Sequence, residues 1–176
     1  VEEVQVRLRH ERGQDVWAAL HGSLFSDTGS ATPCLILQVQ DITARRQAEA
    51  GLHHIAFNDS LTGKPNRRRF GDLLAQAVQT ARADPRQGFA VMFIDFDRFK
   101  LINDSLGHAV GDEFLVMVAR RIQLQLRPQD IVARLGGDEF AILAEQLDSE
   151  GDRVPLADRL IEALRHPFRI AGTDLT

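Results

Sequence analysis

Four acidic residues hold the positions from which this chain could do chemistry. Asp95 closes the apolar run Phe89–Ile94 and Asp97 follows two residues on, while Asp138 and Glu139 sit between two further apolar runs, Ile131–Leu135 and Phe140–Ala144. Carboxylates at the ends of adjacent central strands make a platform for Mg²⁺, a hard ion that takes oxygen ligands and shares its coordination with substrate phosphates. Such an ion polarises a phosphoryl group and activates an attacking oxygen. Gly136 and Gly137 precede Asp138; glycine permits positive φ in a tight turn and lets a bulky ligand approach the backbone. Spacing alone leaves a second reading open, in which all four are solvated loop carboxylates.

Other motifs fail on inspection. Thr62-Gly63-Lys64 looks like the end of a phosphate-binding P-loop, but the required earlier glycine is Asn58 and the required Ser or Thr is Pro65. The histidines at 10, 21, 53, 54, 108 and 166 show no H-E-x-x-H spacing, and adjacent His53 and His54 read as a solvated pair. Arg67-Arg68-Arg69 reads as a solvated helix face. No Ser-His-Asp or Cys-His arrangement can be argued from the linear order.

The elements that must carry these residues follow from periodicity. Val4, Val6 and Leu8 alternate with Gln5 and Arg7, the pattern of a half-buried strand; Val16–Leu24 and Leu35–Gln40 read as two more, joined by turns at Glu11–Asp15 and Ser26–Ser30. Three antiparallel strands are marginal alone, so they are expected to belong to a larger domain cut at its N-terminus. A polar helix follows from Thr43 to about Phe57, with Ala48, Leu52 and Ile55 on one face. Gly63 and Pro65 break regularity. An amphipathic helix is predicted over Arg67–Arg82, a buried strand over Phe89–Asp95, then a polar loop. A helix carrying Phe114, Leu115, Val118, Ile122 and Leu126 comes next, then a hairpin around Gly136–Glu139. A helix opened by Pro155 and a strand begun by Phe168 complete the series. The second half is therefore mixed α/β.

With 21 basic and 25 acidic residues among 176, the formal charge is −4. That argues against nucleic acid as a partner but not against a nucleotide substrate. Hydrophobic residues at 44% and charged residues at 26% suit a folded globular chain. No apolar run approaches the ~18 residues of a membrane span, and the N-terminus does not resemble a signal peptide. The lone Cys34, in an apolar run, is expected to be a buried, inert thiol in a reducing compartment, which fits a cytoplasmic protein.

Gly136-Gly137-Asp138-Glu139-Phe140 resembles the signature of the GGDEF family, the diguanylate cyclases, and it has company. Asp59-Ser60-Leu61-Thr62-Gly63-Lys64-Pro65-Asn66-Arg67-Arg68 is similar to the family's D-x-L-T-G-L-x-N-R-R, with Lys64 in place of the usual Leu. Phe93–Asp104 resembles its first metal strand, Gly107–Asp112 the turn after it, and Arg127-Pro128-Gln129-Asp130 its R-x-x-D inhibitory site. The resemblance spans about residues 58–176. Separately, Gln40–Glu49 is similar to the D-I-T-x-R-x-x-x-E stretch that ends PAS sensor domains. This suggests a division into 1–42, the C-terminal part of a PAS domain; 43–57, a signalling helix; and 58–176, a C-terminally incomplete GGDEF domain.

The resemblance implies a palm-like α/β fold with a mostly antiparallel central sheet, which condenses two GTP into cyclic di-GMP and two pyrophosphates. Two domains, each holding one GTP, would face each other in a homodimer. Asp95, the backbone carbonyl of Phe96, and Asp138 would hold Mg²⁺ or Mn²⁺. Asp138 would also accept the proton, with Glu139 beside the metal. Asn103 and Asp112 would bind guanine and Lys100 the phosphates. Arg127, Asp130 and Arg159 would bind cyclic di-GMP as feedback inhibitor; for Arg127 and Asp130 the alternative is a surface ion pair at a helix exit. The family continues with one more strand and a helix, so a sheet edge is expected to be exposed. The alternative function is a silent GGDEF module that binds GTP or cyclic di-GMP and regulates a neighbour such as an EAL phosphodiesterase.

Overall fold

The computed structural model describes residues 3–25, 34–84, 86–145, 153–170 and 172–175, in two compact units, 1–54 and 55–176. In the first, β1 (Glu3–Arg9), β2 (Asp15–Phe25) and β3 (Cys34–Asp41) form an antiparallel sheet with β2 central. The turn expected at Ser26–Ser30 lies outside the described residues, as does the side chain of Cys34. Three residues end this sheet and start helix α1 (Thr43–Phe57). Ile42 is buried and its N–H donates to Trp17 O at 2.8 Å; Thr43 Oγ1 accepts from Trp17 N–H at 2.8 Å; Asp41 Oδ1 accepts from Thr43 N–H at 2.8 Å. The guanidinium of Arg46 covers the Trp17 ring at 3.8 Å.

The expected half-burial of β1 is not met. Val4 and Leu8 are 51% and 46% exposed, and Leu35, Ile36, Leu37 and Val39 on β3 are exposed as well. Period-2 patterning specified the strands correctly, but no described element of this unit covers those positions.

The second unit is built around a sheet of order β4-β6-β5, antiparallel throughout: β4 (Phe89–Ile94), β5 (Ile131–Gly136) and β6 (Glu139–Glu145). β6 is central and is covered on both faces. Phe140, Ile142 and Ala144 meet α4 (His108–Gln125) and α5 (Arg153–Arg165) through Phe114, Leu115, Val118, Ile122, Leu156 and Leu160. Ala141 and Leu143, one step out of phase, meet Phe70 and Ala77 of α2 (Arg67–Ala83). Burial on both faces is why β6 reads as a continuous apolar run rather than an alternating one. Phe140 is fully buried, so Phe140→Ala is expected to destabilise the unit by about 3–5 kcal/mol, measurable by urea denaturation. β7 (Phe168–Ile170) and β8 (Thr173–Leu175) pair as a separate hairpin.

Two expectations change. The apolar run of β4 predicts a buried strand, but β4 is an edge of the described sheet, with Phe93 71% exposed. The polar loop after it is instead α3 (Phe99–Leu106) followed directly by the start of α4. Arg98 precedes α3 in the left-handed region at φ 64°, and Gly107, at φ 86°, turns the chain from α3 into α4. A left-handed Arg and an eight-residue helix with polar positions give no periodicity long enough to detect. The mixed α/β expectation itself holds.

Candidate active site

The β4–β6 register sets the site. Ile94 pairs with Phe140, so Asp95 and Glu139 come next along the two antiparallel strands, and Phe96 and Asp138 after them. Phe96 turns its ring inward, edge-on to Phe140 at 6.2 Å and to Phe114 at 5.4 Å. Its backbone is thereby anchored between two acidic residues, both exposed, Asp95 and Asp97. The Phe96 carbonyl accepts from Phe99 N–H at 3.2 Å and keeps a second lone pair.

Across from it, β5 and β6 are joined by a turn that only glycine accommodates easily: Gly136 is at φ 140° and Gly137 at φ 55°. Asp138 is half-buried there and Glu139 exposed. Among the described residues no three His, Cys, Asp or Glu side chains cluster as a metal cage. Two carboxylates plus one carbonyl nevertheless suit Mg²⁺, which usually takes one or two protein carboxylates and fills its remaining positions with water and phosphate oxygens.

The turn is gripped by residues from further away. Arg134 donates to Gly137 O through Nε at 3.0 Å and Nη2 at 2.7 Å, and to both oxygens of Asp59 through Nη1 at 3.1 Å. Asp59 Oδ1 also accepts from Thr62 N–H at 2.8 Å and Oγ1–H at 2.7 Å. Arg67 donates to Leu135 O at 3.2 Å and to Glu139 at 2.9 Å. The arginine triplet is therefore more than a solvated face: Arg67 reaches the signature turn, and Arg68 lies over the Phe57 ring at 5.1 Å. Sequence reasoning missed Arg134, which lies 75 residues from Asp59.

Burial pushes the Asp59 carboxyl up, but hydrogen bonds from Thr62 and the Arg134 charge outweigh it and hold it below the ordinary carboxylate value. A lowered folded value stabilises the protein above the unfolded value of about 3.9 and loses that contribution as pH falls through the folded value. Asp59→Asn is therefore expected to lower the melting temperature at neutral pH. The gap to the parent should close in acid, as followed by circular dichroism.

Asn103 lies on α3 and Asp112 on α4, and the two helices pack together at Asn103 and Gly111. Gly111 is buried against Asn103, and Asp112 beside it is exposed. Lys100 is exposed in the first turn of α3. The remaining candidates gather elsewhere. Asp130 is 5% exposed, accepts from Arg127 N–H at 2.9 Å, and has a buried Oδ1 with no hydrogen-bond partner among the described residues. Arg159 donates to Gln125 O, at the end of α4. Strand β5 separates this group from the signature turn by about 20 Å, at ~3.3 Å per residue. Arg121, not anticipated, donates to Ala163, His166 and Pro167 carbonyls and stacks on Phe168 at 3.5 Å, tying α4 to the exit of α5.

A mixed α/β unit with acidic residues at one end of an antiparallel strand pair has the build of a phosphoryl-transfer domain. Comparison with known proteins identifies which one: residues 56–176 match "Diguanylate cyclase, GGDEF domain", and the chain belongs to that family. It is 47% identical over 147 residues to the diguanylate cyclase TpbB of Pseudomonas aeruginosa, covering 83% of this chain and 34% of that protein. It thus spans about a third of that relative's length. The crystallised GGDEF domain of TpbB is 49% identical with a TM-score of 0.64, covering 68% of this chain and 69% of the other. The coiled coil and GGDEF domain of DgcB from Caulobacter crescentus, solved with c-di-GMP, has a TM-score of 0.66 at 25% identity, over 76% and 69% of the two chains. Among the described residues no helix is long and apolar enough to cross a membrane.

Proposed function

We propose that this chain is the catalytic part of a diguanylate cyclase, joining two GTP into cyclic di-GMP with release of two pyrophosphates. The observation that carries this is the strand register ending at Ile94–Phe140, so that Asp95 and Phe96 leave one strand at the end where Asp138 and Glu139 enter the other, in a chain whose family is the GGDEF cyclases. Asp95, the Phe96 carbonyl and Asp138 would hold Mg²⁺ or Mn²⁺, which when bound neutralises charge on the α-phosphate. Asp138 takes the proton from the attacking 3′-hydroxyl. The carboxylate of Asp112 accepts from guanine N1–H and its exocyclic amine, Asn103 bonds the same base, and Lys100 approaches the phosphates. Adenine lacks that donor pair, so these polar contacts favour GTP.

Each domain offers one guanine site, so cyclisation takes two copies and the working unit is a homodimer. Arg127, Asp130 and Arg159 bind the product; the Arg127 fork suits phosphate, and buried Asp130 accepts from Arg127 N–H, which supports the loop that carries it. Residues 1–42 read as PAS-type β-structure and 43–57 as a signalling helix leading into a cyclase domain over 58–176. The support is the Asp41-Ile42-Thr43 junction, where each residue secures the passage from sheet to helix. A GTP substrate supports a domain that works in the cytoplasm, whether or not the full-length protein is anchored to a membrane outside this chain.

Incubation with GTP and Mg²⁺, followed by nucleotide chromatography, is expected to yield cyclic di-GMP; GTP left unconverted by a folded, dimeric protein overturns the assignment. Arg127→Ala is expected to raise the half-inhibitory product concentration about tenfold or more, the loss of one charge-assisted contact. The value is read against the variant's own uninhibited rate, and an unchanged one removes the inhibitory-site assignment.

A further inference from the structure

Gly137 sits at φ 55°, and glycine has little conformational preference of its own to keep it there. Its carbonyl belongs to the same rigid peptide plane as Asp138 N–H, so whatever fixes that oxygen fixes the direction in which the chain reaches Asp138. Two guanidinium nitrogens of Arg134 donate to it, at 3.0 and 2.7 Å. The third nitrogen is spent on both oxygens of Asp59, so the fork cannot rotate away. The ion pair is nearly enclosed, with side chains 12% and 19% exposed, which places it outside the weak, solvent-screened class. Asp59 is itself held by Thr62, and Arg134 N–H donates to Pro65 O at 3.0 Å, so the loop 59–65 and the signature turn form one hydrogen-bonded body.

We propose that Asp59 and Arg134 are positioning residues for the catalytic turn, setting the Gly137–Asp138 peptide so that the Asp138 carboxylate faces the metal and the reacting hydroxyl. The proposal rests on the cyclase reading for the role of Asp138, but not for the geometry of the brace. A lysine at 134 keeps the charge yet reaches only one of the two partners, because a point ammonium cannot replace a planar fork. Asparagine at 59 retains an acceptor for Thr62 while losing the charge that holds Arg134.

The test compares the full chain with Arg134→Lys, Asp59→Asn and the double variant. One arm measures initial rates of cyclic di-GMP formation. A displacement of the turn on the 1 Å scale should lower kcat by about 10²-fold. KM for GTP should stay within about twofold, because Asn103 and Asp112 lie on α3 and α4 outside the brace. The double variant should be no worse than the more impaired single, as for residues acting as one unit. The other arm titrates Mn²⁺ by electron paramagnetic resonance in the presence of 3′-deoxy-GTP, which cannot cyclise. Mn²⁺ affinity should fall about tenfold or more in each variant, the usual cost of losing an outer support of a metal ligand. Parental kcat and parental Mn²⁺ affinity in folded Arg134→Lys would overturn the proposal, as would a loss of melting temperature alone. If the parent makes no product, the cyclase reading fails and the Mn²⁺ arm still decides the brace. Should Arg134→Lys not fold, Asp59→Asn carries both arms.

Discussion

Asp138→Ala is expected to reduce cyclic di-GMP formation by about 10³-fold or more, because in the proposed mechanism it removes a proton acceptor and a metal ligand together. The same substitution should leave the fold intact. Asp138 lies in the β5–β6 turn, half-buried, and none of the packing between β6 and its flanking helices passes through it. A surface change of this kind costs within about 0.5 kcal/mol, so the melting temperature should move by only a few degrees. Rate and melting temperature are both read on one preparation, the first by nucleotide chromatography. Parental turnover in the variant would remove Asp138 from the chemistry. Loss of rate accompanied by unfolding would move its role to the turn. Glu139→Ala makes a useful companion, since Glu139 is paired with exposed Arg67 and its removal takes away the carboxylate partner of that guanidinium at the signature turn.

The second large effect is expected at Gly111→Ala. A methyl group there would lie 2.0 Å from Asn103 Oδ1, 3.0 Å from its Cγ and 3.3 Å from Phe99 Cζ. The first distance is impossible, so the Asn103 carboxamide must leave the position in which it would meet guanine. Helix propensity acts in the opposite sense, favouring Ala over Gly by about 1 kcal/mol, so α4 itself should survive. A change of one methyl group, far smaller than the ligand, is therefore expected to raise KM for GTP by about 10–100-fold, the cost of leaving polar groups in a base site unmatched. Calorimetric titration with GTP and with ATP checks it: the affinity for GTP should collapse towards that for ATP. Unchanged GTP affinity would show that Asn103 takes no part in holding the base.

Both effects concern pairs of residues whose importance is legible to different degrees. The sequence by itself determined which carboxylates are candidates for the chemistry. Asp95 stands at the end of an apolar run and Asp138 in the break between two others, and the glycine pair before Asp138 is a turn with few other uses. It determined a helix over Arg67–Arg82, from a run of apolar positions long enough to show its period, and the β5–β6 hairpin, from two apolar runs flanking a glycine pair. These are local properties, carried by residues within a turn or a strand of one another. What only the tertiary structure decided are meetings between distant segments. Nothing about Arg134, the lone polar residue in the apolar run of β5, announces that it will grip Gly137 and Asp59 at once. Nor does Gly111, inside a helical stretch, announce that its missing side chain makes room for Asn103 on another helix. Burial behaves likewise: the alternation of β1 is that of a half-buried strand, yet Val4 and Leu8 are exposed. Periodicity states which side chains share a face, and only the arrangement of the other elements states what, if anything, packs against it.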